Sequence, residues 1–159
     1  MKRDAKKTNV MRLLEQAGVD YVSHIYLDSD AVGGMEVADF LGENPSQTFK
    51  TLVTVGHSKE HFVFLVPVNK ELDLKKAANS VNEKNVEMLK SKELLPLTGY
   101  IHGGCSPIGM KKQFVTVIDE SAKNFDTIMF SGGKIGYQVE VKVGDLNKAL
   151  DFSFADISK

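Results

Sequence analysis

Two apolar segments dominate the middle of this chain, Thr48-Phe49-Lys50-Thr51-Leu52-Val53-Thr54-Val55 and Phe62-Val63-Phe64-Leu65-Val66-Pro67. Only Gly56-His57-Ser58-Lys59-Glu60 intervenes, a connection of hairpin length. Both segments are rich in β-branched and aromatic residues, so two strands running antiparallel are expected. Later segments continue the pattern: Phe114 to Ile118, Thr127 to Phe130 and Tyr137 to Val143 also read as strands, as does Tyr21 to Leu27 before the hairpin.

The helices are short. Thr8 is placed to cap a first one, in which Val10, Leu13, Leu14 and Ala17 form an apolar stripe that Gly18 ends. A second covers Gly34 to Leu41, closed by Gly42 and followed by an Asn44-Pro45-Ser46 turn. Asp73 is placed to cap a helix through Ala78, Ser91 another through Leu95, and a last helix runs from about Asp145 to about Asp151. Strands in succession, without regular βαβ alternation, predict an α+β domain with a mixed, mostly antiparallel sheet. A length of 159 residues, with no repeat and no linker, predicts one domain over residues 1–159.

No apolar run is long enough to cross a bilayer. The basic start, Met1 to Lys7, is not followed by an apolar signal segment, so the cytoplasm is the expected location. A formal net charge of −1 argues against a strongly basic nucleic-acid-binding domain. A local basic patch stays open, since Lys111, Lys112 and Lys134 lie near glycines and Lys75, Lys76 and Lys84 lie mid-chain; surface lysines are more often simply solvated. The single cysteine, Cys105, excludes an intramolecular disulfide framework.

Chemistry concentrates in two polar loops. Gly103-Gly104-Cys105-Ser106-Pro107-Ile108-Gly109-Met110-Lys111-Lys112 is the first, and Ser131-Gly132-Gly133-Lys134-Ile135-Gly136 follows further along the chain. Backbone N–H groups in such turns can converge on an anion or a polarised carbonyl. Neither loop ends in the Gly-Lys-Ser/Thr of a nucleotide phosphate loop, and no Gly-x-Ser-x-Gly elbow is present. A ligand pocket walled partly by backbone is expected.

Lys50 sits in an apolar strand, on the face opposite Phe49. If Phe49 faces solvent, Lys50 faces the interior or a cleft, where a lysine needs an anion or ligand; spacing leaves a solvent-facing Lys50 equally open. Cys105 invites a nucleophile reading with charge from His102, Lys111 or Lys112, but a free cysteine is more often a small buried hydrophobe. His24, His57, His61 and His102 make no metal motif; His57 and His61 are expected at the surface, and His24 and Tyr26 in packing roles.

Taken together, Phe49-Lys50-Thr51-Leu52, Leu72-Asp73-Leu74-Lys75-Lys76, Thr98-Gly99-Tyr100, the first loop's Gly103-Gly104-x-Ser106-Pro107-x-Gly109-x-Lys111-Lys112 and Ser131-Gly132-Gly133-Lys134 resemble the YbaK/EbsC family of aminoacyl-tRNA deacylases. That family is related to the editing domain of bacterial prolyl-tRNA synthetase. The resemblance runs from Leu13 almost to the end, through Phe154-Ala155-Asp156-Ile157. It implies a barrel-like mixed sheet with surrounding helices, and removal of mischarged cysteine from tRNA(Pro) without a cofactor or metal. Cysteine and proline are close in size, so binding alone separates them poorly and a second site is the remedy. The family's essential lysine falls on Lys50. Gly103 and Gly104 would line the aminoacyl pocket, with Ser106, Pro107 and Gly109 shaping it; Ser131, Gly132 and Gly133 would form the opposite wall, and Tyr26 matches a pocket tyrosine. In this family the substrate's own thiol attacks its ester, so no protein nucleophile is needed.

The resemblance further suggests work beside prolyl-tRNA synthetase; oligomeric state is left open by the sequence, with a monomer as the default expectation. Two positions depart from the family pattern: Cys105 replaces an apolar residue, and Gln138 stands where a relative is acidic. Deacylation of alanyl or seryl tRNA by an activated water, or a non-catalytic module that holds an aminoacyl end or a synthetase surface, are the alternative readings.

Overall fold

The computed structural model describes residues 6–159, so most of the basic start lies outside the described residues. Helix α1 (Asn9–Gln16) is capped as the sequence predicts: the Thr8 hydroxyl accepts the Met11 amide, and Val10 and Leu14 are fully buried. After β1 (Tyr21–Ile25), α2 (Gly34–Leu41) ends on Gly42 in the left-handed conformation. The hairpin follows as β2 (Phe49–Gly56) and β3 (His61–Pro67), antiparallel with Lys50 opposite Val66 and Thr51 opposite Leu65. Helix α3 (Leu74–Ser80) is capped by Asp73, whose carboxylate accepts the Lys75 and Lys76 amides. The remaining elements are β4 (Val86–Met88), α4 (Ser91–Thr98), β5 (Val115–Asp119), β6 (Thr127–Ser131), β7 (Tyr137–Lys142) and β8 (Ser153–Ala155), with 3-10 helices at Glu120–Asn124 and Val143–Lys148.

These strands make two sheets. One has the order β1-β7-β6, all antiparallel; the other runs β4-β2-β3-β5-β8, with its last two pairings parallel. Cross-strand partners share a face, so alternation divides the hairpin between two apolar clusters. Phe49, Val53, Val63 and Leu65 enter the core between the sheets, where Ile128, Phe130, Val139 and Val141 meet them. Phe62, Phe64 and Val66 enter a second cluster with Ala77 and Ala78 of α3, and Leu52 packs against it. Covered on both faces, β3 is buried from Phe62 to Val66. The sheets meet at a seam where Thr48 bridges Met129 and the Gln47 amide donates to Thr127, and they wrap a common core without closing into a barrel.

Three sequence expectations need correction. Ser91 is the first helical residue rather than the cap; Lys90 occupies the cap without a side-chain bond, and the helix continues past Leu95, through Pro96, to Thr98. The segment near Asp145 to Asp151 is a 3-10 helix over Val143–Lys148 instead of an α-helix. His61 is half-buried, edge-on to Phe114, whereas His57 is exposed as expected.

Candidate active site

A cavity of about 180 Å³ opens beside the seam, between the start of β2 and the three-stranded sheet. Thr48, Phe49, Lys50, Thr51 and Leu52 supply one side, Phe130, Ser131, Tyr137 and Gln138 the other, and Gly33, Gly34 and Val37 of the α2 start cover it. Of the site residues that the family resemblance implies, Tyr26, Lys50, Gly103 and Ser131 line this one space, joined by His102, Cys105 and Gln138.

Phe49 is buried in the core, so Lys50 points to the opposite face of β2, at its first turn out of the seam. There it is half-buried, and it makes no ion pair or hydrogen bond within the described residues. Burial pulls its ammonium below the usual lysine range, weakly opposed by Glu71. A cation held this way, with no protein partner, is matched to an anionic or strongly polar ligand.

The first glycine loop reaches the cavity at its leading end. Gly103 adopts φ +88°, and a side chain there would overlap Val32. A Cβ on Gly104 would sit 3.1 Å from the Ile135 backbone nitrogen, so the two glycine loops touch backbone to backbone at this point. Ser106 is fully buried and accepts the Ile108 amide, while Ser131 accepts the Gly133 amide in the same way. Gly109 and Gly133 approach Tyr100 from the two loops, and Tyr100 also donates to the Ile108 carbonyl. Gly132 packs on Tyr137. Pro107 and Gly109 border a separate, more open depression beside Leu13 and Phe114. Thus Gly104, Ser106, Gly132 and Gly133 stand behind the cavity wall, and Pro107 and Gly109 face elsewhere.

Cys105 does line the cavity, but burial pushes its thiol up to about 12, which leaves it protonated and unreactive at neutral pH. Among the described residues, no group of three or more His, Cys, Asp or Glu is placed to hold a metal ion, and no helix is long and apolar enough to cross a membrane.

One participant escaped the sequence reading. Glu43, just beyond α2, accepts from the Gln138 amide at 3.0 Å and from the Thr48 hydroxyl at 3.2 Å. Burial raises its carboxyl above the usual range, opposed by the Gln138 bond and by His24. Glu43 and Gln138 are 95 positions apart, so no local pattern links them. His24, expected to pack, instead meets Glu140 at 2.7 Å.

A small pocket bordered by the two glycine loops, with a lysine in its lining that has no partner among the described residues, marks the candidate site of this α+β domain. The comparisons with known proteins make the class specific. A family model described as an aminoacyl-tRNA editing domain matches residues 29–149, and the chain belongs to that family. It is 44% identical, over 99% of its own length and 96% of the relative's, to an Enterococcus faecalis protein named "Putative Cys-tRNA(Pro)/Cys-tRNA(Cys) deacylase EbsC". It is 30% identical to a proline–tRNA ligase of Fervidobacterium nodosum over 67% of this chain, a stretch that makes up 21% of the ligase. Two solved structures share the fold. "Hypothetical protein APE2540" superposes with a TM-score of 0.83 at 22% identity, covering 94% of this chain and 99% of that one. A structure described as a "putative trans-editing enzyme for prolyl tRNA synthetase" gives 0.79 at 24% identity, covering 96% and 98%.

Proposed function

We propose that this protein is a trans-acting aminoacyl-tRNA deacylase that removes cysteine mischarged onto tRNA(Pro). The observation that carries the reading is Lys50, a half-buried cation without a partner among the described residues, in the lining of a cavity of amino-acid size. The 44% identity to a relative named as such a deacylase supports the choice of substrate.

In the chemistry we assign, the substrate thiol adds to its own ester carbonyl. The new S–C bond closes a cyclic thioester, the C–O bond to the ribose breaks, and the thiol proton ends on the departing ribose oxygen. The protein contributes orientation and charge. Lys50 faces the ester and the terminal ribose-phosphate, offsetting negative charge that grows on the carbonyl oxygen. Gly103 brings backbone close to the aminoacyl group, backed by Gly104, with Ser106, Pro107 and Gly109 keeping the loop in shape. Ser131 stands in the facing wall with Gly132 and Gly133 behind it, and Tyr26 completes the lining. The inert Cys105 fits a mechanism whose thiol arrives with the substrate.

A net charge near zero gives little counterion-release drive for binding tRNA on its own. We therefore place the protein beside prolyl-tRNA synthetase, in the cytoplasm, as a monomer whose 159 residues act as one editing domain. The test is a comparison of cysteinyl, alanyl and seryl esters on tRNA(Pro). Rapid loss of the cysteinyl ester alone is expected; equal or faster loss of the alanyl ester would replace thiol assistance with an activated water.

A further inference from the structure

Three buried side-chain atoms lack a hydrogen-bond partner among the described residues: Glu43 Oε2, Thr51 Oγ1 and Gln138 Oε1. They belong to the cavity lining and to the layer behind it. Gln138 and Thr51 line it, and Glu43 is bonded to Gln138 directly behind. Gln138 is only 3% exposed, so bulk water does not serve its carbonyl. Unpartnered buried acceptors are rare in folded proteins, and two of them on residues that line one cavity point to a ligand that brings donors.

The Gln138 NH2 group donates to one carboxyl oxygen of Glu43, Oε1. The Gln138 carbonyl is then turned away from Glu43, without a partner, in the cavity lining. In β7 this residue lies between His24 of β1 and Ser131 of β6, a central position with little freedom to move. The cavity is therefore polarised. Its lining carries both the Lys50 cation and, at Gln138, an acceptor backed by a carboxylate.

A ligand with matching polarity brings an electron-rich ester to Lys50 and a cationic donor to Gln138. We infer that Gln138 Oε1, held in place by Glu43, receives the α-ammonium group of the aminoacyl ester, so that the site selects esters bearing a free α-amine. Thr51 Oγ1 lies in the same lining to take a second N–H. Gln138 is then a substrate-binding residue and Glu43 a positioning residue that acts through it. Of the other groups near Glu43, His24 favours its charged form and Glu140 opposes it, and the cationic amine adds to the favourable side. This inference rests on the deacylase reading above.

The experiment charges tRNA(Pro) with cysteine or with 3-mercaptopropionate, which keeps the thiol and lacks the amine. The wild-type protein is expected to cleave the cysteinyl ester about 10- to 100-fold faster, the range of one hydrogen bond to a charged donor. Gln138→Leu should lower only the cysteinyl rate and bring the two esters within about threefold. Glu43→Gln, which frees the Gln138 amide to turn over, should erode the same preference without changing the rate on the amine-free ester. Melting temperatures of both variants establish that they are folded, and a ratio of two rates on one preparation is insensitive to partial unfolding. Equal wild-type rates on the two esters would overturn the inference and leave the deacylase reading standing, as would equal losses on both esters in Gln138→Leu. Wild-type failure on both esters would overturn the two together.

Discussion

Replacing Lys50 by methionine removes a charge while keeping a similar length of chain in the cavity edge. Its effect depends on how far water screens that charge. In the proposed complex the ammonium approaches the ester oxygen to about 4 Å, where a unit pair is worth about 1 kcal/mol in bulk water and about 4 kcal/mol at an effective dielectric of about 20. Half-burial and the lowered ammonium pKa argue for the second figure. A loss of about 4 kcal/mol in the transition state is about a thousandfold in rate, against about fivefold for a solvent-screened charge. Single-turnover deacylation of Cys-tRNA(Pro) at neutral pH, corrected for spontaneous hydrolysis, separates the two. Stability should move the other way, because Lys50 has no protein partner to lose: Lys50→Met should melt at or above the wild-type temperature. A rate loss below about tenfold, or a large loss accompanied by a lower melting temperature, would refute the placement of Lys50 as the charge that serves the reaction.

The same lysine predicts a pH profile. Its protonated form is the useful one, and its pKa is lowered from 10.5, so activity should be full at neutral pH and decline on the alkaline side before an ordinary lysine would titrate. Between the lowered value and 10.5 the unfolded chain binds more protons, so stability gains slightly over that window while activity falls; a flat rate profile to pH 10 would contradict this. Cys105→Ala should keep activity within about threefold, and its small buried volume limits the stability loss to about 1 kcal/mol, a melting shift of about 2–4 °C by calorimetry. Gly104→Ala should cut the rate at least tenfold while the chain still folds, because the added Cβ presses on the backbone at Lys134 and Ile135, which cannot swing aside; near-normal kinetics would mean that the contact between the loops is dispensable.

What could be read in the chain and what could not follow from the range of the interactions. Helix α2 with its closing Gly42, and the caps at Thr8 and Asp73, are encoded within a few residues, and the structure matches them. Strands β4 and β8 have three residues each, too few for any period to register, and exist because β2 and β5 offer them open edges. Pro96 argues against a helix past Leu95, yet α4 accommodates it within its last turn. At the site, Lys50 was visible as a charge out of place in an apolar strand, but alternation could not say which face was closed. Gln138 was visible only as a departure from a family pattern. The carboxylate it meets belongs to Glu43, and only the folded chain brings the two together.

Tyr100 stands outside the cavity, yet glycines of both loops come to rest against its ring and its hydroxyl holds the Ile108 carbonyl. The two walls therefore share one strut. A larger or smaller residue at this position would shift both loops at once and change the gap between them without altering a single atom that touches the ligand. The size of amino acid admitted can be retuned from behind the wall, a route by which chains of this fold could diverge in selectivity while their pocket-lining residues stay the same.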